Sequence, residues 1–456
     1  MKHCILFISL AGNQSRFFLK IGQSLAQQGI ETAHVCFHES SVQELRKAGA
    51  TAFNPFDYQS GAFTEIDFEQ YAIKLPGLLL GHEKAAYELS DTQLLADKFK
   101  KHLAAMSRII DTLLKEYPDI ILVQELGGFT SVLAAFFAAR HKNINNWFIE
   151  PSFFKGRVFF TPNKFSAPEI SNIPAQASEN VQQIITNILK SQSVVIPQKD
   201  KSHYRGAGLK LADSHNIKRL LQKLTSKYVL GQREEFEHIG GHINRHLRMF
   251  INSQKLKLHY KRLPTDKPII YYPFHVPADF ALTIRSPEYL NQYAIIDFIC
   301  RCAPFGWQVV IKEHPALIGA INPQITIDLL KKHDNLILLH PSINNHEVLS
   351  NAHTIVTVNS KTGAEALLYQ KRVFALGDSF YKDSALVNKI HKLAELPELL
   401  SSPTREIQQA DVLSFFQGVW NSSYPGELYD ISPENIQTFT KSLLQCINFA
   451  DSKTSE

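Results

Sequence analysis

The sequence predicts an α/β protein built from two Rossmann-like, doubly wound domains. Three observations carry that expectation. The chain has 456 residues, and at about 150 residues per domain this suggests two or three cores. Its first forty residues already run strand, loop, helix, strand. That rhythm restarts near Pro268, after a basic stretch punctuated by proline.

In the first half, Cys4 to Ser9 reads as a buried strand and Ala11 to Ser15 as a small polar loop. An amphipathic helix follows over Arg16 to Gln27, ending at Gly29, and then a strand over Thr32 to Phe37. Leu95 to Glu116 reads as a helix, Ile120 to Gln124 as a strand, Ser131 to Ala139 as a helix after a Gly-Gly turn, and Trp147 to Ile149 as a strand. Strands alternating with helices imply a parallel sheet covered on both faces. Ligands bind such sheets beyond the carboxyl ends of the strands, so Gly12 to Ser15, Gln124 to Gly128 and Glu150 to Ser152 are expected on one rim.

Residues 155–255 read as a helical insertion or long connection, and Ser253 to Pro268, with Lys255, Lys257, Lys261, Arg262 and Lys267, as the linker. The second domain then reads as strands at Pro268–Tyr272, Trp307–Ile311, Leu336–Leu339, Thr354–Val358 and Arg372–Leu376, with helices between them. The expected division is 1–255 for an N-terminal acceptor domain with its insertion, 265–415 for a C-terminal nucleotide-sugar domain, and 416–456 for a tail. The tail's helix, Pro433 to Asn448, folds back on the first domain in this reading. Two such domains facing across a cleft describe the GT-B architecture, which hosts several chemistries, so function has to come from the sites.

Composition narrows the classes. Hydrophobic residues make up 44% and charged residues 20%, an ordinary globular balance that excludes a largely disordered or disulfide-scaffold protein. A net charge of +5 is small for a protein that grips nucleic acid. The cysteines are Cys4, Cys36, Cys300, Cys302 and Cys446, an odd number without zinc-ligand spacing; Cys300-x-Cys302 lies in one apolar helical run. They fit buried thiols in a reducing compartment. The apolar start is too short for a signal peptide, and no run reaches the ~18 apolar residues of a membrane span. The expectation is a cytoplasmic protein, with peripheral contact at the inner face of the plasma membrane left open.

Three segments could carry chemistry. Val309-Val310-Ile311-Lys312-Glu313-His314-Pro315 is a strand that proline stops at the rim. Lys312 there can neutralise a phosphate and His314 can hydrogen-bond or protonate a leaving group; the plainer alternative is a turn histidine. Ile355 to Leu367 is a strand entering Asn359-Ser360-Lys361-Thr362-Gly363 and opening a helix at about Thr362 or Gly363. Its N–H groups and the Ser360 and Thr362 hydroxyls suit a phosphate cradle, and Glu365, read as first-turn, can accept from ribose hydroxyls. The alternative is ordinary capping by Ser360 or Thr362, with Glu365 near the third helical position. Third, Tyr271 to Asp279 follows a strand and is expected to project His275 and Asp279 into the cleft.

In order, the chain carries Tyr272-Pro-Phe-His-Val-Pro-Ala-Asp279, Ser286-Pro-Glu-Tyr289, Val310-Ile-Lys-Glu-His-Pro-Ala-Leu-Ile-Gly319, His340-Pro-Ser342, Val356 to Leu367 and Ala375-Leu-Gly-Asp-Ser-Phe-Tyr381. This series, over about residues 268–382, resembles the capsule polysaccharide synthesis family, which includes bacterial β-Kdo transferases. The resemblance implies a GT-B glycosyltransferase and, for the Kdo enzymes, a CMP-activated donor. It implies that His314-Pro315 and the segment from Ser360 to Glu365 hold the CMP moiety. It also implies a lipid-linked or glycan acceptor. The Kdo members are retaining enzymes with a carboxylate nucleophile, which no motif here locates.

The amino-terminal half is less similar. Glu150 and Glu125 are the candidate catalytic carboxylates because both sit at predicted strand ends, as nucleophile or as base; a solvated or salt-bridged rim glutamate is the alternative for each. Asn13 and Gln14 are expected on the acceptor side. No Asp-x-Asp clamp occurs, and the rival Gly-x-Ser-x-Gly elbow and Gly-x-x-x-x-Gly-Lys loop are missing too. The resemblance to GT-B transferases implies a leaving phosphate stabilised by helix dipoles and cationic side chains, so no metal or further cofactor is expected, and Asp67-Phe68-Glu69 carries little weight. The basic linker, with Lys199, Lys201, Arg205 and Lys210, suits either anionic lipid, at about 1 kcal/mol per basic residue, or plain solvation.

The expected function is a metal-independent GT-B glycosyltransferase of bacterial capsule or surface polysaccharide assembly. It would move Kdo or a related ulosonate from a CMP-sugar to a glycan or glycolipid. Two alternatives stay open: another GT-B enzyme (sialyltransferase, UDP-sugar epimerase or polyol-phosphate transferase), and a non-catalytic capsule assembly or export factor.

Overall fold

The computed structural model of the chain describes residues 3–59, 66–192, 218, 221, 223–236 and 239–453. The basic cluster at 199–210 lies outside the described residues. Two sheets organise the rest. The first contains β1 (His3–Ser9), β2 (Glu31–Cys36), β3 (Thr51–Phe53), β4 (Asp119–Glu125), β5 (Asn145–Pro151), β6 (Arg157–Pro162) and β13 (Tyr424–Pro425), in the order β13-β6-β5-β4-β1-β2-β3. The second contains β7 (Ile269–Pro273), β8 (Gln308–Lys312), β9 (Leu336–Leu339), β10 (Thr354–Thr357), β11 (Arg372–Ala375) and β12 (Val387–Lys389), in the order β12-β11-β10-β7-β8-β9. Every pairing in the second sheet is parallel. Both orders reverse direction beside the first strand, the doubly wound pattern whose switch point holds ligands.

Burial of both sheet faces explains why the strands are continuous apolar runs without alternation. Along β1, Cys4, Leu6 and Ile8 face the helices Thr92–Leu114 and Thr130–His141. Ile5 and Phe7 face Phe17, Phe18 and Ile21 of the helix Gly12–Ala26, joined there by Phe439 and Leu443 of the helix Pro433–Lys453. In β7 the same pleat sends Ile270 and Tyr272 toward the helix Gln292–Cys302 and Tyr271 to the opposite core. All five cysteines are free thiols. Among the described residues, no helix is long and apolar enough to cross a membrane.

Two sequence expectations need correction. β6 lies inside the segment read as a helical insertion or connection, and it pairs antiparallel with β5. Its run Val158-Phe159-Phe160 buries Val158 and Phe160 on one side and Phe159 on the other, so no period marked it. The segment read as a linker is also partly helical. The helix Ile239–Leu256 runs into it, and Leu256 sits fully buried in the second domain's core.

The two domains are joined by an apolar seam and by polar ties. Phe153, Phe154 and Phe159 pack in one core with Tyr271, Val310 and Phe416; burying such a side chain contributes roughly 1.5–3 kcal/mol. Arg285 pairs with Glu150, Lys361 donates to the Ser152 carbonyl at 3.2 Å, and the Ala167 N–H donates to Asp378 at 2.8 Å.

Candidate active site

The second sheet's switch point falls between β7 and β10, and the residues that follow these strands meet there. The His275 N–H donates to Gln292 Oε1 at 2.8 Å, while Gln292 Nε2 donates back to the His275 carbonyl at 3.2 Å. This clamp fixes the backbone, and His275 Nε2 accepts from the Asn359 N–H at 3.2 Å. A nitrogen that accepts from a backbone amide carries no proton, so the imidazole is the Nδ1–H tautomer. Burial pushes its pKa down to about 4, with Asp279 opposing. His275 Nδ1 and Asn359 Oδ1 are both buried without a hydrogen-bond partner among the described residues, which is costly unless something completes them.

Ser360 caps the helix Lys361–Leu368, its side chain accepting from the Thr362 N–H at 3.2 Å. Tyr381 donates its hydroxyl to the Ser360 carbonyl at 2.6 Å. The same ring explains Gly363: a Cβ there would lie 2.4 Å from the Tyr381 oxygen, so this glycine serves close packing. Glu365 is the fifth helical residue, past the first turn, which corrects its expected place and removes it from the capping role. It is buried and accepts from Asn345 Nδ2 at 2.7 Å. Asn345 in turn accepts from the Tyr271 hydroxyl at 3.0 Å and reaches Thr362 Oγ1 at 3.4 Å.

At the end of β8 the pleat separates neighbours. Glu313 turns away, bonded to the Tyr260 hydroxyl and to the Gly319 N–H. Lys312 is 4% exposed, and no hydrogen bond or ion pair holds it among the described residues. Burial lowers its pKa to about 8, and the field of Glu365 opposes that only in part. His314 is half-buried and accepts at Nδ1 from the Ala316 N–H at 3.3 Å. Burial lowers its pKa, Asp279 opposes and Lys312 adds to the lowering. These effects together favour the neutral imidazole of His314 in the unliganded protein, able to donate or accept a hydrogen bond.

In the first domain, Gln14 and Glu125 also meet at the switch point, between β1 and β4. Gln14 Oε1 accepts from the Leu10 N–H at 2.6 Å, and Gln14 Nε2 donates to Glu125 at 2.8 Å and to the Tyr429 oxygen at 2.9 Å. Tyr429 also donates to Glu125. Asn13 is exposed, and Asp279, also exposed, caps a short helix through the Ala281 N–H at 2.9 Å. Glu150 is not open to the cleft on its own: Arg285 holds both carboxylate oxygens, at 2.6 and 3.0 Å, and Arg285 Nε donates to the Phe165 carbonyl at 2.6 Å.

Sequence reasoning missed a buried cluster beside the β4 rim. Glu83 accepts from the Thr130 N–H and hydroxyl at 2.6 and 2.7 Å, closing the start of the helix Thr130–His141. Lys98 bridges Glu83 and Glu235 at 2.9 and 2.6 Å. Burial raises the Glu235 pKa to about 8, Lys98 opposing and Glu83 adding. Residues at 83, 98, 130 and 235 share no local pattern, so only the fold unites them. Arg285, Asn345, Gln292 and Tyr429 were missed for the same reason, although Arg285 directly precedes the Ser286-Pro287 motif. Among the described residues, no group of three or more His, Cys, Asp or Glu is arranged to hold a metal ion.

Fold and site together define a two-domain α/β protein of the GT-B kind, with polar clusters at both switch points. The chain belongs to a family described as capsule polysaccharide biosynthesis protein, whose model matches residues 129–420. A curated relative, protein FixF of Sinorhizobium fredii, is 34% identical over 138 residues, covering 29% of this chain and 32% of that protein. The match thus spans about a third of that relative's length. Among solved structures, the Thermosulfurimonas dismutans KpsC β-Kdo 2,7 transferase is 15% identical with TM-score 0.36, covering 82% of this chain and 96% of that one. A UDP-GlcNAc 2-epimerase from Neisseria meningitidis is 12% identical with TM-score 0.25, covering 97% and 100%.

Proposed function

We propose that this protein is a glycosyltransferase of capsule or related surface polysaccharide assembly, using a CMP-linked ulosonate such as Kdo. The observation that carries the reading is Lys312. A buried lysine that no hydrogen bond or ion pair holds among the described residues, its charge offset only in part by Glu365, favours an anion on this rim, and a nucleotide phosphate would supply it. In this reading Lys312 and His314 stabilise the departing phosphate, and Ser360 and Thr362 with the helix-start amides cradle it. Glu365, positioned by Asn345, accepts from ribose hydroxyls. The unpartnered His275 Nδ1–H and Asn359 Oδ1 hold the rest of the donor.

Glu125 is the better placed of the two candidate carboxylates. Gln14 and Tyr429 orient it by hydrogen bonds at the switch point, the fixed placement that a base or nucleophile needs. Glu150 would first have to give up Arg285. The test is CMP release from CMP-Kdo, followed by ³¹P NMR with a capsule-type glycan acceptor. Wild type is expected to release CMP, with Glu125→Gln and His314→Ala each slowed at least a hundredfold while folded. Release unchanged by both substitutions would refute the assignment.

Peripheral contact with an anionic membrane belongs to the same reading. Ile243, Leu247, Phe250 and Ile251 lie at helical spacing on the outer face of the helix Ile239–Leu256, and all four are exposed. Residues 239–262 include six Lys or Arg and no Asp or Glu. Apolar surface edged with basic residues suits a lipid interface. Sedimentation with phosphatidylglycerol vesicles is expected to carry the protein down, and Leu247→Glu with Phe250→Glu to leave it in solution. Equal recovery of both proteins would rule this face out.

A further inference from the structure

A second cavity lies on the inner side of the same helix. It has a volume of about 280 Å³, and its lining includes Glu88, Arg245, Arg248, Asn252, Pro277 and Asn322. Pro277 follows β7 and Asn322 follows β8, so the cavity opens on the ligand-binding rim of the second sheet. Glu88 comes from the first domain, so both domains contribute walls. At about 280 Å³ it is near the lower end of ligand pockets, roughly 300–1,000 Å³, which fits one sugar-sized group.

The charge is unbalanced. Arg248 pairs with Glu88. Arg245 is half-buried; its Nη1 donates to the Ala86 carbonyl at 3.2 Å, and no carboxylate pairs with it among the described residues. Burial lowers its pKa. A guanidinium has five N–H donors, and among the described residues only the Ala86 carbonyl accepts from this one. Leaving such a charge desolvated is unfavourable unless an anion completes it.

The wall beside it is built closely. Gly319 has φ +84°, and a Cβ there would lie 1.9 Å from the Met249 carbonyl oxygen. Its N–H is held by Glu313 at 2.6 Å and its carbonyl by Asn252 Nδ2 at 3.0 Å. Only glycine lets the loop after His314 approach the helix this closely, and that approach fixes where Arg245 meets the rim.

We infer that Arg245, backed by the Arg248–Glu88 pair, binds a singly charged oxyanion carried on the glycan acceptor, either a sugar carboxylate or a phosphodiester. Two guanidiniums and one carboxylate leave one positive charge, which matches a monoanion. A planar fork reading two oxygens favours these groups over a neutral hydroxyl. The cavity's lining includes none of Lys312, His314, Ser360, Thr362 or Glu365, so the assignment stands whichever base the donor carries.

The test is a ligand-observed NMR titration of glucuronate, dimethyl phosphate and neutral glucose into wild type, Arg245→Gln, Arg245→Lys and Arg301→Gln. Arg301 is an exposed arginine elsewhere on the second domain and serves as the charge control. At least one anion is expected to bind wild type and Arg301→Gln equally, and Arg245→Gln at least tenfold more weakly. Arg245→Lys, which keeps the charge but loses the fork, is expected in between and covers the case of Arg245→Gln failing to fold. Preference for glucuronate identifies a carboxylated sugar, and preference for dimethyl phosphate a phosphodiester. Anion binding equal in wild type and the Arg245 variants, no anion binding, or displacement of the anion by CMP would overturn the inference. A CMP titration in parallel separates this outcome from failure of the donor assignment.

Discussion

Replacing Lys312 with methionine is expected to stabilise the unliganded protein and to abolish most of its affinity for nucleotide. The folded state holds this lysine at a pKa of about 8 against an ordinary 10.5, so its charged form is disfavoured by about 3 kcal/mol. The sign follows from proton binding. Between about pH 8 and 10.5 the unfolded chain holds a proton that the folded chain has released, so stability rises with pH across that window. Below about pH 8 both states are protonated and the whole cost is present. Lys312→Met removes a desolvated charge and keeps the apolar stem, and a gain of about 1–3 kcal/mol at pH 7 is expected in denaturant unfolding. The gain should shrink toward pH 10, where the wild-type lysine is already neutral in the folded state. Phosphate in the crevice restores the lysine's charge, so CMP binding at pH 8–9 should take up a proton in wild type and none in Lys312→Met. A Lys312→Met protein less stable than wild type at pH 7, with undiminished CMP affinity, would show that the lysine is a structural element.

The second large effect is at the clasp between the domains. Arg285 and Glu150 are paired through two hydrogen bonds, with side chains 7% and 17% exposed. Arg285→Met leaves Glu150 as a carboxylate with little water and no partner, and such single removals cost about 3 kcal/mol or more. Glu150→Gln strands the arginine instead and should also destabilise. The double variant leaves neither charge, so it is expected to recover more than half of the loss, a positive coupling that a double-mutant cycle reads directly. The cycle also decides the role of Glu150. As a clasp, Glu150→Gln loses stability, and the folded fraction keeps transfer activity within about tenfold. Complete loss of activity in a Glu150→Gln protein as stable as wild type would restore it as the nucleophile.

How much of this was legible depended on the distance between partners in the chain. The second domain's rhythm was plain because parallel strands buried on both faces leave apolar runs, such as Ile269-Ile270-Tyr271-Tyr272, with turn residues at each end. Its motif residues were visible because Lys312 ends one strand and His314, Asn359 and Ser360 closely follow strand ends. Their relations were not. The sequence does not tell that His275 accepts from the Asn359 amide 84 residues away, or that Asn345 holds Glu365. β6 escaped because Val158, Phe159 and Phe160 are buried on alternate sides between two domains. β13 escaped because two residues from position 424 complete a sheet begun at position 3. The switch-point rule found both Gln14 and Glu125, yet Tyr429, which binds them, comes from the returning tail.

The central claim is that the crevice between β7, β8 and β10 binds a cytidine-linked donor. Calorimetric titration of CMP, CDP, UDP and GDP into wild type and His314→Ala tests it most directly. The expected result is binding of CMP in preference to the other three, weakened at least tenfold by His314→Ala, about 1.4 kcal/mol. Preference for UDP, or no nucleotide binding to the folded protein, would contradict it.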